Sequence, residues 1–366
     1  MKLFCMPSDF RTETIDKYEE INDAHSDSKV YETYGQVACA TLFGTHSVNT
    51  GLPEVNISEL GQYIQYSKDK GIKFNYILDS CCMVNYELTT RGYGKLKTFI
   101  KALFELGVDS VTVSLPSVIE ITKYVAPDLE IVVSEINQID TPSKAEFYQR
   151  LNVDRIILHQ NIYRNFPLIR SIRKACKVDM CVIANSFCIT NCPYQIFHNN
   201  SVSHTGTMPD KIYPYYVERC REQHSNAECF IKSNWIRPED IEYYYDAGST
   251  HFKLQGDTIV SFGEPVRAAE AYMNQAFNGD LVQLLELFSA KKPLSILGAR
   301  INNIKLDGFI NKFVEADICC TELCTECGYC KKYSKKAIKS QDAVLLDFMC
   351  VASEAMRGRL FHELEK

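Results

Sequence analysis

Most of the features that would assign this sequence quickly are missing. No apolar run approaches the ~18–20 residues of a membrane span, so no transmembrane segment is expected. The first residues, MKLFCMPSDFRTET, contain an apolar run only at positions 3–6 before polar and charged residues begin. A secretory signal core is therefore absent, and a cytoplasmic location is expected. Positive charge is not in excess: 40 Lys and Arg stand against 46 Asp and Glu, a net charge of −6, which argues against nucleic acid as a partner. There is no H-E-x-x-H, no G-x-S-x-G and no glycine-rich phosphate loop, so the common signatures of zinc proteases, serine hydrolases and nucleotide binders are excluded. Internal repeats and low-complexity segments are also lacking.

What the chain does have is cysteine, sixteen residues in 366. A secreted disulfide framework would need an export signal. In a reducing compartment, clustered cysteines read as metal ligands. Not every thiol need take part. Cys5, Cys176 and Cys350 lie in apolar or helical contexts and are expected to pack, as free cysteine commonly does.

Short apolar runs alternate with amphipathic segments about every 25 residues, the pattern of parallel strands joined by crossover helices. Strands are predicted to start at Lys2, Val30, Phe74, Ser110, Ile131, Arg155, Val178 and Phe252, with helices over 11–29, 58–70, 93–106, 117–125, 143–151, 166–175 and 237–248. Eight such units predict an α/β fold, a TIM-like (β/α)8 barrel over residues 1–260. Residues 261–366 are expected to form a helical C-terminal extension with a small cysteine-rich, cluster-binding site. Its helices are placed at 265–288 and 342–365. A further short strand is considered at 229–233.

Two cysteine groups carry the chemistry. Cys188 and Cys192 follow the strand at 178–184, at the end where a barrel keeps its active site. Two thiolates do not complete a cluster, so Cys220 is expected to join them first, then Cys39 or Cys229, while Cys181 reads as core. Gln195 at the next motif position prevents a radical-S-adenosylmethionine pattern. The second group is Cys320, Cys324, Cys327 and Cys330, with Cys319 able to replace Cys320. Four cysteines so closely spaced resemble ferredoxin-type runs and predict a [4Fe–4S] cluster. Structural zinc is the alternative. Two clusters are thus expected. His159, Glu135, Asn185 and Lys253 stand at or inside strand ends and are the candidate catalytic residues. Asn85, Ser114, Asn137, Asn161, His198 and His204 would complete a polar barrel mouth.

Residues Asn185, Cys188, Cys192, Pro193, His198 and Asn199 resemble the N-x-x-C-x3-C-P-x4-H-N signature of one branch of the U32 "peptidase" family. Ile236-Arg237-Pro238-Glu239-Asp240, then Tyr245, Gly248 and Phe252-Lys253-Leu254, are similar to its next block. The resemblance implies a TIM-like barrel with a cysteine-bound [4Fe–4S] cluster. It also points to oxygen-independent hydroxylases as better understood relatives. The sequence departs from that pattern at Gln255-Gly256-Asp257, where the family often has Gly-Arg.

The functional expectation drawn from these residues is an iron–sulfur-dependent oxidoreductase, hydroxylating a small or carrier-tethered substrate without oxygen. An electron-transfer protein or a paralogous subunit would be its partner. The alternatives are a U32-type peptidase and a non-catalytic iron–sulfur or zinc protein acting as a subunit.

Overall fold

The computed structural model describes residues 1–37, 53–204, 215–223, 227–256, 259–289, 300–315, 320 and 324–339. Cys39, Cys319, Cys350 and the helix expected at 342–365 lie outside them. Eight parallel strands close into one barrel in the order of the chain. They are β1 (Lys2–Pro7), β2 (Ser28–Gly35), β3 (Lys73–Leu78), β4 (Ser110–Val113), β5 (Glu130–Val133), β6 (Arg155–Ile157), β7 (Asp179–Ile183) and β8 (His251–Lys253). The pairing of Leu3 with His251 joins the last strand to the first. This is the TIM-like barrel that the alternation of elements predicts.

The crossover helices are α1 (Thr12–Asp23), α2 (Ile57–Asp69), α3 (Thr90–Glu105), α4 (Pro116–Val125), α5 (Pro142–Arg150) and α6 (Phe166–Ala175). Each start has a local cause. Asn56 and Glu59 cap each other at the head of α2, and Thr89, Thr141 and Asn165 accept backbone N–H groups at the heads of α3, α5 and α6. Gly107, at φ +92, ends α3 in a conformation open to glycine at no steric cost. The buried faces of these helices pack on the outside of the barrel in one hydrophobic core with Phe4, Val111, Ile131, Ile156, Met180 and Phe252.

The connection from β7 to β8 is the longest. It holds α7 (Gln195–His204), α8 (Tyr215–Gln223), α9 (Ala227–Lys232) and α10 (Ile241–Asp246). Here the expected strand at 229–233 is corrected: residues 229–232 belong to α9, and Ser233 makes only an isolated bridge to Ile189. Glu228 and Lys232, one turn apart and 2.7 Å from each other, favour the helix. After β8 come α11 (Pro265–Met273), α12 (Leu281–Leu285), α13 (Asn311–Val314), α14 (Cys324–Cys327) and α15 (Tyr329–Ala337). The single helix expected at 265–288 is therefore two. Gln275 turns to φ 50 after α11, and Asp280 restarts the chain by accepting from Val282.

Inside the barrel the layers are polar. Cys5, Asn75, Val132 and Cys181 come from alternate strands, and so do Glu32, Thr112 and Arg155. Arg155 donates twice to Glu32, at 2.8 and 2.7 Å, and once to the Cys5 sulfur at 3.2 Å. Asn75 links Ser110 and Thr112. The next inward residues, Tyr34, Ile157 and Lys253, floor the open end. Among the described residues no helix is long and apolar enough to cross a membrane.

Candidate active site at the barrel mouth

A cavity of about 360 Å³ opens over the C-terminal ends of the strands. Its walls are built from the turns after β3, β5, β6, β7 and β8. Asp79 follows β3 and accepts from Ser134, the residue after β5, at 3.0 Å. Ser134 also caps a short 3-10 turn, Glu135–Asn137, which aims Glu135 into the cavity.

Glu135 is a strongly perturbed carboxyl there. Burial pushes its pKa up to about 7, and the charge on Asp79 adds to the rise. A hydrogen bond from Gln195, a backbone N–H at Gln160 and the charge on Lys253 act against it. Gln195 opens α7. Its Nε2 donates to Glu135 Oε1 at 3.0 Å, and its Oε1 lies 3.0 Å from His159 Nε2. Since the amide oxygen must accept, His159 carries its proton on Nε2. His159 Nδ1 is buried and finds no partner among the described residues. The imidazole is 3.5 Å from Glu135, but burial lowers its pKa, so the pair is carboxyl and neutral ring rather than an ion pair.

The other candidates fall into place around this chain. Asn185 lines the cavity, but its side chain serves the backbone. It donates to Gln255 O at 2.7 Å and Leu285 O at 2.9 Å and accepts from Gln255 N at 2.6 Å. It clasps the ends of β7 and β8 to α12. Lys253 lines the floor, with its ammonium 3.9 Å from the centre of the Tyr34 ring. His159 stands behind Gln195 rather than on the wall. Gln195 itself was read from the sequence only as a motif mismatch; a polar residue at the first position of a mouth helix was the signal available.

Cys188, Cys192 and Cys220 line one side of the cavity. Burial pushes the Cys188 thiol up to about 12, with the charges of Cys220 and Glu135 adding to it. Cys192 is also raised, by burial and then by Cys220. The Cys188 loop is pinned: Asn234 N donates to Cys188 O at 3.0 Å, and Thr190 donates to Asn234 Oδ1 at 2.6 Å. Cys229 sits half-buried in α9, outside the cavity wall, and Cys181 is core inside the barrel. In the distal group, Cys320 is half-buried, Cys327 exposed and Cys330 buried. Cys330 lies 3.9 Å from the Arg164 guanidinium. Among the described residues, no three His, Cys, Asp or Glu side chains converge closely enough to hold a single metal ion.

Comparison with known proteins gives three findings. The family described as Peptidase family U32 matches residues 28–206. An "Uncharacterized protease MJ1657" from Methanocaldococcus jannaschii is 29% identical over 340 residues, covering 91% of this chain and 97% of that protein. The solved structure of the U32 peptidase Mk0906 superposes with a TM-score of 0.50 at 21% identity, covering 70% of this chain and 92% of its own, a likeness of fold. These findings correct the first functional expectation. The matched family and the full-length relative are named as peptidases, and neither brings support for an oxidoreductase or hydroxylase. The order of the expected activities is reversed, with the peptidase ahead. On the mouth motifs and these matches together, the chain resembles peptidase family U32 over residues 28–206 and an uncharacterized protease over most of its length.

Proposed function

We propose that the protein hydrolyses peptide bonds at the barrel mouth, with Glu135 as the group that moves the proton. The observation that carries this reading is a mostly buried carboxyl whose pKa is pushed up to about 7 inside a cavity of about 360 Å³. A general base and acid works best with a pKa near the working pH. As carboxylate, Glu135 takes a proton from water as the water oxygen attacks the peptide carbonyl carbon. As acid, it returns that proton to the leaving nitrogen, so the C–N bond breaks and the carboxyl group is ready again. Gln195 keeps the carboxylate turned toward the cavity. Lys253, on the floor, supplies positive charge for the carbonyl oxygen as it becomes anionic. The apolar walls at Ile136, Phe187, Ile189 and Leu285 suit a short peptide segment and limit water.

The thiols support a resident [4Fe–4S] cluster at the same mouth. Cys188, Cys192 and Cys220 line one cavity wall, which suits thiolate ligands to such a cluster, with Cys229 or Cys39 as a further ligand. When bound, the cluster would supply a soft Lewis-acidic iron beside the cavity. The spacing of Cys320, Cys324, Cys327 and Cys330 supports a second cluster, with zinc as its alternative. Free thiols throughout the described chain suit a reducing, cytoplasmic setting.

The test is hydrolysis itself. Anaerobically prepared protein is incubated with an unstructured peptide library in ¹⁸O-water. New termini carrying ¹⁸O, produced by wild type and lost in Glu135→Gln, support the reading. No new termini, or equal numbers from the variant, overturn it.

A further inference from the structure

A second pair of thiols stands at the mouth, outside the ligand set above. We propose that Cys81 and Cys82 form a reversible vicinal disulfide, and that its closure governs how α7 seats on the barrel.

The two residues follow β3 and Asp79-Ser80. Both thiols are partly exposed, so a small molecule can reach them. Cys81 docks on α7: its N–H donates to Ser203 Oγ at 3.1 Å, and its sulfur lies 3.3 Å from the same oxygen. Ser203 donates its own proton to Asn199 O at 3.0 Å. With the Ser203 proton on Asn199 O, the Cys81 S–H is the donor in the sulfur contact. A disulfide has no such proton, so closure removes this bond from the buried Ser203. Cys82 is fixed from the other side, where Ser80 Oγ donates to its carbonyl at 3.0 Å.

Adjacent Cα atoms are about 3.8 Å apart, against about 4.4–6.8 Å in ordinary disulfides. The ring can close only by distorting the backbone, and strained disulfides are the readily reduced, switching ones. The chain just beyond is already strained, with Val84 at φ 55 and Asn85 at φ 59. A β-branched residue rarely holds that conformation unless its surroundings impose it. Distortion at Cys81-Cys82 thus has a tight turn on one side and α7 on the other. The same helix presents Gln195, His198, Asn199 and Val202 to the cavity.

The oxidant is a low-molecular-weight disulfide. One thiolate attacks it, forms a mixed disulfide and expels one thiol. The neighbouring thiolate then displaces the second thiol and closes the ring. Two protein S–H groups are oxidised and one external S–S bond is reduced to two thiols.

The experiment uses the full-length reduced protein and oxidised glutathione under anaerobic conditions. Free thiols are then alkylated and the chain is cut with trypsin. The fragment spanning 74–91 holds Cys81 and Cys82 and no other cysteine. The expected product is this fragment lighter by two hydrogens, unalkylated, and restored by dithiothreitol. Amides of residues 195–204 should exchange several-fold faster in the oxidised protein than in the reduced one, a difference absent in Cys82→Ser. A fragment bearing glutathione, or two alkyl groups, overturns the disulfide. Closure with unchanged exchange across α7 overturns the coupling. The oxidised and reduced wild-type proteins decide both points without any variant. Neither readout depends on what the cavity hydrolyses.

Discussion

Gln195 donates to the Glu135 carboxyl at 3.0 Å while its amide oxygen takes up His159. The amide thus has a fixed direction, and the donor end faces the acid. This bond favours the charged form of Glu135 and holds its pKa below the value burial alone would set. Gln195→Leu removes the donor. The Glu135 pKa should then rise further above about 7. The limb of the pH–rate profile should move to higher pH, with kcat/KM near neutrality down roughly tenfold. A profile unmoved in midpoint would show that Gln195 only fills space.

The same carboxyl makes a stability prediction. Its folded pKa, about 7, lies above the ordinary 4.5. The native state therefore holds the proton more tightly than the unfolded chain. The group favours folding fully below its ordinary pKa, and that contribution is lost as pH rises through about 7. At about 1.4 kcal/mol per pKa unit the span is at most about 3 kcal/mol. Urea unfolding between pH 4.5 and 8 should show wild type losing stability relative to Glu135→Gln. Parallel curves would contradict the raised pKa.

Arg155 and Glu32 form a bidentate pair sealed inside the barrel. Removing either partner strands the other charge. Arg155→Met or Glu32→Gln alone should destabilise the fold by about 3–5 kcal/mol, whereas the double replacement Arg155→Met with Glu32→Leu should recover most of the loss. Chemical unfolding of the three variants decides the matter, and additive losses would exclude the pairing argument.

Much of this was legible from the sequence. All eight strands start within two residues of the predicted positions, because each is a short apolar run bounded by a turn or a helix cap. Glu135, Lys253, Cys188, Cys192 and Cys220 reach one cavity because a parallel barrel gathers every strand end at one face. The rest depended on contacts distant in sequence. Asn185 was placed with the candidate chemistry, yet its hydrogen-bonding groups serve Gln255 and Leu285. Gln195 could not be recognised as the bridge, since nothing in its spacing shows that α7 begins beside both His159 and Glu135. The 227–232 run has β-favouring Phe230 and Ile231, and the Glu228–Lys232 pair tipped it to helix.

Iron content tests the thiol wall separately. Anaerobically purified Cys188→Ala or Cys192→Ala should lose about four irons, one cube, with the matching visible absorption. Cys176→Ser should lose none, because Cys176 is buried behind α6. Full iron and an unchanged spectrum in Cys188→Ala would remove the cluster from the barrel mouth.

The most direct test of the central claim is the pH dependence of peptide hydrolysis by wild type and Glu135→Gln. For wild type, kcat/KM should rise with pH through a midpoint near 7, as the Glu135 base loses its proton. In Glu135→Gln that limb should vanish and the rate should fall by about 10²–10⁴-fold. A variant that cleaves the same bonds at the wild-type rate, with the limb intact, would contradict the assignment of Glu135.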